Sequence, residues 1–200
     1  MFTRPNQRGI SLIELIMFIV IVSVALAGIL LVMNTVTKGS ADPLVHKQAL
    51  AIAESLLEEA ELMPFTFCDP DDLNAASAVS ATVGGSGCNS TVEAIGPENA
   101  FAEQPTVETR YHATTPFDNV NDYHNFLMNG AGGIRDITNT SISAALDGYS
   151  ATVAVAAVDF GGITAASGDA LRITATVTGL DGLPVVVEGI RTRYAPRTLP

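Results

Sequence analysis

The chain has 200 residues, of which only 16% are charged, and its formal net charge is −11. That acidic balance argues against binding to nucleic acid phosphates or anionic lipid headgroups, because both would repel it. The sequence also lacks a phosphate-binding P-loop, a G-x-S-x-G nucleophile elbow and an H-E-x-x-H zinc motif. We therefore predict neither an enzyme nor a cofactor.

An apolar segment of membrane-spanning length follows a short basic leader at residues 1–9, and we assign residues 10–38 to a transmembrane helix. Over residues 10–37 the only charged side chain is Glu14, and a helix of this length measures roughly 42 Å, enough to cross a hydrocarbon core of ~30 Å. Two arginines in the leader predict a cytoplasmic N-terminus and an exported remainder. An ordinary uncleaved signal anchor does not need Glu14, which costs about 2.5–3.5 kcal/mol near the membrane and therefore indicates a function.

A second helical segment follows a short break. Asp42 suits the N-cap and Pro43 the first helical position, while Pro64 stops the helix. Apolar residues recur at helical spacing between them, so residues 43–63 are predicted to form an amphipathic helix that continues the first one. The break predicts that this long helical spine is interrupted or kinked near residues 39–43.

Two cysteines, Cys68 and Cys88, lie beyond the membrane segment on the oxidising side. An even pair in an exported chain predicts a disulfide, which would close a loop of about twenty residues and contribute roughly 3 kcal/mol in the chain-entropy model. The enclosed sequence is poor in apolar residues and needs such a bond to be ordered. Free thiols or a metal pair are the alternatives, although no C-x-x-C spacing supports a metal.

Acidic residues next to Cys68 raise the question of a cation site. Asp69, Asp71 and Asp72 offer hard oxygen ligands of the kind that calcium prefers, and residues 118–122 form a second oxygen-rich turn. Neither stretch matches the D-x-[DN]-x-[DN]-G calcium loop, so we favour Asx turns and caps, in which these side chains bond to their own backbone. The sequence thus predicts no metal site, with calcium at the three aspartates as the alternative.

The remainder, residues 64–200, is predicted to form a β-rich globular domain outside the cytoplasm. Residues 106–112 alternate loosely and predict a strand, and three more strands are predicted at 149–160, 171–178 and 185–194. Strands in series joined by short turns favour an antiparallel meander packed on the helix, which is an α+β arrangement.

Gly9, Ile10 and Glu14 together resemble the processing site of type IV prepilins and of the related pseudopilins of type II secretion. The resemblance implies that a prepilin peptidase cuts after Gly9 and methylates the new N-terminus at Ile10, where Phe is commonest in the family. It also implies that the helix anchors the subunit in the inner membrane and later lies in a filament core. There, the Glu14 carboxylate would pair with the N-terminal amine of a neighbouring subunit.

Further stretches resemble the minor pilins of the mannose-sensitive haemagglutinin (MSHA) pilus of Gram-negative bacteria, namely residues 40–43, 48–59, 64–65, 68–72 and 117–123. This resemblance runs from residue 9 to about residue 125. It implies low-copy incorporation into, or priming of, an extracellular adhesive filament. The implied partners are prepilin peptidase, other major and minor pilins and the inner-membrane pilus assembly machinery.

Two other functions stay open at this point. A type II secretion pseudopilin shares every N-terminal feature and would work in a periplasmic piston. A pilus-tip adhesin that recognises a glycan or a surface is the second, since the outer domain is large enough for a binding site. Against it, glycan sites usually display aromatic platforms, whereas the chain has no Trp and only four Tyr.

Overall fold

A computed structural model of the chain describes Gly9 and residues 11–99, 104, 106–129 and 132–193, leaving out the side chains of residues 37–42 within the helix. One long α-helix is followed by a four-stranded sheet, which confirms the predicted α+β fold. The elements are α1 (Leu12–Leu62), β1 (Phe126–Met128), β2 (Ser150–Ala157), β3 (Ala170–Thr178) and β4 (Pro184–Thr192).

Helix α1 runs for 51 residues without a break, and Pro43 lies inside it. The predicted interruption near residues 39–43 is therefore wrong, while the predicted kink stays a prediction. A proline in a helix removes one N–H donor and crowds the carbonyl four residues earlier, but here the helix continues through it. The chain forms two compact units, Met1–Leu44 and Val45–Pro200, which we describe separately.

In the first unit, the segment Leu12–Val36 is long and apolar enough to cross a membrane, as judged by its length and composition. All of its side chains are exposed in the single chain. Two of its polar side chains bond within the helix: the hydroxyls of Ser23 and Thr35 donate to the carbonyls of Ile19 and Leu31 at 2.7 and 3.0 Å. Such a surface suits a lipid or protein environment better than water.

In the second unit, the later turns of α1 pack against one face of the sheet. Buried α1 residues recur at helical spacing, which confirms the predicted apolar stripe: Ala49, Ala53, Leu56 and Ala60. The small alanines let the helix come close to the strands. Gly189 on β4 serves the same purpose, because a Cβ at that position would collide with the Glu61 side chain and touch Leu57.

The sheet has the strand order β1-β2-β3-β4, and every neighbouring pair is antiparallel. Alternate residues of β3 face the core, namely Leu171, Ile173, Ala175 and Val177, as the period of two predicts. The turn before β4 is closed by a hydrogen bond from the Gly182 N–H to the Gly179 carbonyl at 3.1 Å. Gly182 has φ +74°, a conformation that favours glycine. The predicted meander is confirmed.

The predicted strand at residues 106–112 is wrong, since these residues form bends and turns. The alternation is inverted relative to a core-facing strand: Val107 is 50% exposed, whereas Glu108 is 2% exposed and Arg110 is buried. The conformation of this segment is therefore determined by its buried polar residues and not by the burial of apolar ones. The structure instead adds β1, which is too short at three residues to give a periodic signal.

Candidate functional site

The candidate processing and assembly site is the head of α1. Gly9 is exposed and precedes the helix, which begins at Leu12 with a first backbone bond from the Leu15 N–H to the Ser11 carbonyl at 3.1 Å. Glu14 lies in the first turn and is exposed. Negative charge at this end is favoured by the helix dipole, by typically 0.3–1 kcal/mol. The predicted first mature residue, Ile10, lies outside the described residues.

The surroundings of Glu14 are apolar. Exposed aliphatic side chains flank it along the chain, including Leu12, Ile13, Leu15 and Ile16. A carboxylate in such an apolar belt is unfavourable in a membrane or filament core unless a cation neutralises it. Residues 11–36 contain no Lys, Arg or His, so a partner charge must come from elsewhere, and an N-terminal amine of another subunit is chemically suitable.

The second candidate feature is the loop closed by Cys68 and Cys88. The structure joins them in a disulfide with a Cα–Cα distance of 5.4 Å and a sequence separation of 20 residues. This confirms the predicted pair and rules out the alternatives of free thiols and a metal pair in the described structure. Both cysteines are buried with Ala75 and Ala78 in a small core of their own. The bond thus holds a loop that has little other apolar support.

Asp72 organises the inside of this loop. Its two carboxylate oxygens accept hydrogen bonds from the backbone N–H groups of Asn74, Asn89, Ser90 and Thr91 at 2.7–2.9 Å and from the Ser90 hydroxyl at 3.2 Å. Burial would raise the pKa of Asp72, but these backbone donors outweigh it and lower the pKa to about 2. The predicted role as a turn and cap residue is confirmed. Asp72 is in none of the groups of metal-ligand type found among the described residues, and calcium binding by Asp72 stays a prediction.

We expect Asp72→Asn to lower the free energy of unfolding by about 1–3 kcal/mol, because the new amide turns an NH₂ group toward backbone N–H donors that then lose their acceptor. Denaturant unfolding of the parent and the variant measures this. Asp147→Asn is the matched control: Asp147 is exposed, and its replacement should stay within about 0.5 kcal/mol of the parent. Equal stability of all three proteins would contradict the structural role of Asp72.

The other two calcium candidates behave differently from Asp72. Asp69 is buried, and its Oδ1 accepts from the Asp71 N–H at 2.7 Å, which is the predicted Asx turn. Its Oδ2 has no hydrogen-bond donor among the described residues. Carboxylate oxygens of Asp69, Asp71 and Asp118 lie within 4.8 Å of one another, so the structure brings together the two oxygen-rich stretches that the sequence shows apart.

The stretch 118–122 also contains the predicted capping contacts. Asp122 Oδ2 accepts hydrogen bonds from the N–H groups of Asp118 and Asn119 at 3.0 and 2.7 Å, at the start of the 3₁₀ helix Val120–Tyr123. The Asn119 amide donates to the Thr66 hydroxyl at 2.7 Å. These contacts tie the turn to the chain segment that leaves α1.

A partly buried ion pair that the sequence does not indicate connects α1 to the loops. The Arg110 guanidinium donates to both carboxylate oxygens of Glu59 at 2.7 Å each, and the Tyr123 hydroxyl donates to Glu59 at 2.8 Å. Burial would raise the pKa of Glu59, but the bonds from Arg110 and Tyr123 hold it below its ordinary value. Helical periodicity puts Glu59 on the polar face of α1, and no local signal reveals a partner 51 residues away.

Comparison with known protein families gives one match. The family model described as "Prokaryotic N-terminal methylation motif" matches residues 4–30, which include Gly9, Ile10 and Glu14. This motif supports a type IV pilin-like or pseudopilin precursor, with processing by prepilin peptidase and membrane anchoring before assembly. No curated protein and no solved structure matches the chain.

Proposed function

We propose that this chain is a minor type IV prepilin of the MSHA type, similar in role to MshD. The observation that carries the proposal is the head of α1, where the methylation motif with Glu14 opens a fully exposed apolar helix. That helix continues into turns that pack on an antiparallel sheet. A simple membrane anchor requires neither the Glu14 carboxylate nor a helix that continues without a break into a folded domain.

In this proposal the chain is a structural subunit without enzymatic activity. Prepilin peptidase cuts after Gly9 and methylates Ile10, and the mature subunit waits in the inner membrane with its N-terminus toward the cytoplasm. The assembly machinery then moves it into a filament of major and minor pilins. In the filament core, the Glu14 carboxylate pairs with the N-terminal amine of a neighbouring subunit and sets its axial position.

The stretches that favour an MSHA pilus over a secretion pseudopilus lie beyond the matched motif, at residues 68–72 and 117–123. In the structure they lie against each other through Asp69 and Asp118. A pilus subunit reaches the cell surface, whereas a pseudopilin stays in the periplasm, so location distinguishes the two functions. A pilus-tip adhesin that binds a surface ligand is a separate alternative, which location does not distinguish from the leading proposal because it also requires surface exposure.

We expect mass spectrometry of the intact protein from sheared surface filaments to show a methylated N-terminus at Ile10. The same measurement on inner membranes from the same cells gives the control fraction. A processed protein found only in the membrane fraction would favour a pseudopilin. An N-terminus at Met1 in both fractions would contradict the prepilin proposal and leave a simple anchored domain.

A further inference from the structure

Carboxylates from separate stretches of residues 64–125 converge inside the second unit. We call six of them the carboxylate cluster: Asp69, Glu93, Glu98, Glu108, Asp118 and Asp122. Each contributes an oxygen to at least one group of three in which the oxygens lie within 4.8 Å of one another. All except Glu93 belong to two such groups. The groups therefore overlap in one continuous site.

Two members of the carboxylate cluster are buried without any hydrogen-bond donor. Glu93 is only 8% exposed, and Glu108 is only 2% exposed. No N–H or hydroxyl group of the described residues bonds to either carboxylate oxygen of these two side chains. An oxygen of Glu93 nevertheless lies within 4.8 Å of oxygens of Glu98 and Asp122, so the side chain faces the cluster. Burying a carboxylate without a partner is costly, and these two side chains thus indicate a ligand that supplies positive charge.

The ion pairs of the second unit do not neutralise the cluster, although Arg193 interacts electrostatically with Glu93. None of the three ion pairs among the described residues includes a member of the cluster, because Arg110 pairs with Glu59 and Arg193 with Asp169. Burial, followed by repulsion from neighbouring carboxylates, raises the pKa values of the members. The values are about 7 for Asp69, about 8 for Asp118, about 9 for Asp122 and about 10 for Glu108.

We propose that the carboxylate cluster binds a calcium-class divalent cation. Calcium takes 6–8 oxygen ligands at about 2.3–2.6 Å in flexible geometry, so two oxygens on opposite sides of one ion are about 4.8 Å apart. The oxygens of each group in the cluster lie within 4.8 Å of one another, so they are close enough to reach a single ion. Zinc prefers nitrogen and sulfur ligands, and magnesium keeps several waters in a strict octahedron. An enclosed set of carboxylates suits neither as well as it suits calcium.

The ion would connect chain segments that share little regular structure. Asp69 lies beside the disulfide, Glu93 and Glu98 lie in an irregular stretch, and Asp122 lies in the 3₁₀ helix Val120–Tyr123 that packs on the core. The disulfide indicates an oxidising compartment outside the cytoplasm. Calcium modules in such places bind with Kd values of about 10⁻⁴–10⁻³ M.

Proton sharing is the alternative that the geometry allows. The Glu98 carboxyl lies within hydrogen-bonding reach of Asp122 and Glu108, and protonated side chains could bridge the cluster without a metal. Glu108→Gln separates the two cases, because the substitution removes a carboxylate ligand but breaks no bond to a backbone or hydroxyl donor. With calcium, the variant loses a ligand. With shared protons alone, a protonated Glu108 is replaced by another neutral group, and calcium affects neither the parent nor the variant.

The test uses the full-length protein in detergent, stripped with a chelator and then titrated with calcium chloride in a calorimeter and in thermal melts. We expect saturable binding with a Kd of about 1 mM or lower and a rise in Tm of about 5 °C at saturation. Glu108→Gln should weaken binding at least tenfold. Glu54→Gln is the matched control, because Glu54 is exposed on α1, and it should bind calcium like the parent.

Three results would overturn the proposal, which does not depend on the pilin function. The first is a lack of saturable binding up to about 10 mM calcium, a concentration above the range of extracellular sites. This result would overturn the proposal whatever the Tm of Glu108→Gln. The second is an equal loss of binding in Glu54→Gln, which would indicate diffuse surface binding. The third is an equal response to magnesium chloride, which would remove the preference for calcium.

Discussion

Replacing Glu14 by valine should remove the protein from sheared filaments while leaving its amount in the inner membrane unchanged. Membrane insertion needs the apolar length of Leu12–Val36, which the substitution preserves. In the proposed filament, entry would need the carboxylate, because the amine of a neighbouring subunit would otherwise lie unpaired at low dielectric. Removing one partner of a buried pair costs about 3–5 kcal/mol, which corresponds to a loss of incorporation of roughly a hundredfold or more.

Quantitative immunoblots of the sheared and membrane fractions measure this effect. Glu14→Asp is the matched control, because it keeps the charge and shortens the side chain by one methylene. It should restore a substantial part of the incorporation. Equal recovery of Glu14→Val and the parent from filaments would show that the carboxylate has no role in assembly.

Arg110→Met should lower the free energy of unfolding by about 1.5–3 kcal/mol, since it leaves the partly buried Glu59 carboxylate with only the Tyr123 hydroxyl as a partner. The long apolar methionine retains much of the packing of the arginine stem. Chemical denaturation followed by circular dichroism measures the loss. Adding Glu59→Leu to Arg110→Met should recover part of it, because the double variant buries no unpaired charge.

The structure offers a matched control for this ion pair. Arg172 and Glu188 are about half exposed on the sheet and lie 3.8 Å apart. Arg172→Met should therefore cost at most about 1 kcal/mol. A loss for Arg110→Met no larger than that for Arg172→Met would show that the pair between α1 and the loops does not stabilise the fold.

Local patterns in the sequence predict the two ends of the described chain well. The glycine and carboxylate before an apolar run identify the head of α1, and the period of two identifies β3, because each signal depends on neighbours a few residues apart. Alanines at helical spacing likewise predict the face of α1 that packs on the sheet. The predicted interruption near residues 39–43 was wrong: α1 runs through Gly39, Asp42 and Pro43 although all three are poor helix formers, so local propensity does not determine this stretch.

The middle of the chain could not be predicted in the same way, because contacts between distant residues determine it. Asp72 bonds to backbone groups 17–19 residues later, and Glu59 pairs with a residue 51 positions away. The predicted strand at residues 106–112 failed for the same reason, as Glu108 turns inward to meet other carboxylates. Two aspartates only three residues apart also differ in their contacts: Asp72 accepts hydrogen bonds within its own loop, whereas Asp69 faces the carboxylate cluster.

The disulfide between Cys68 and Cys88 has a consequence for the order of events during biogenesis. Thiols stay reduced in the cytoplasm, so the loop has no covalent closure before its cysteines cross the membrane. Its own small core, with Ala75 and Ala78, is too modest to hold it otherwise. If the chain is exported as we propose, residues 64–200 therefore complete their folding only after translocation, and a subunit that has not been oxidised stays immature at the membrane.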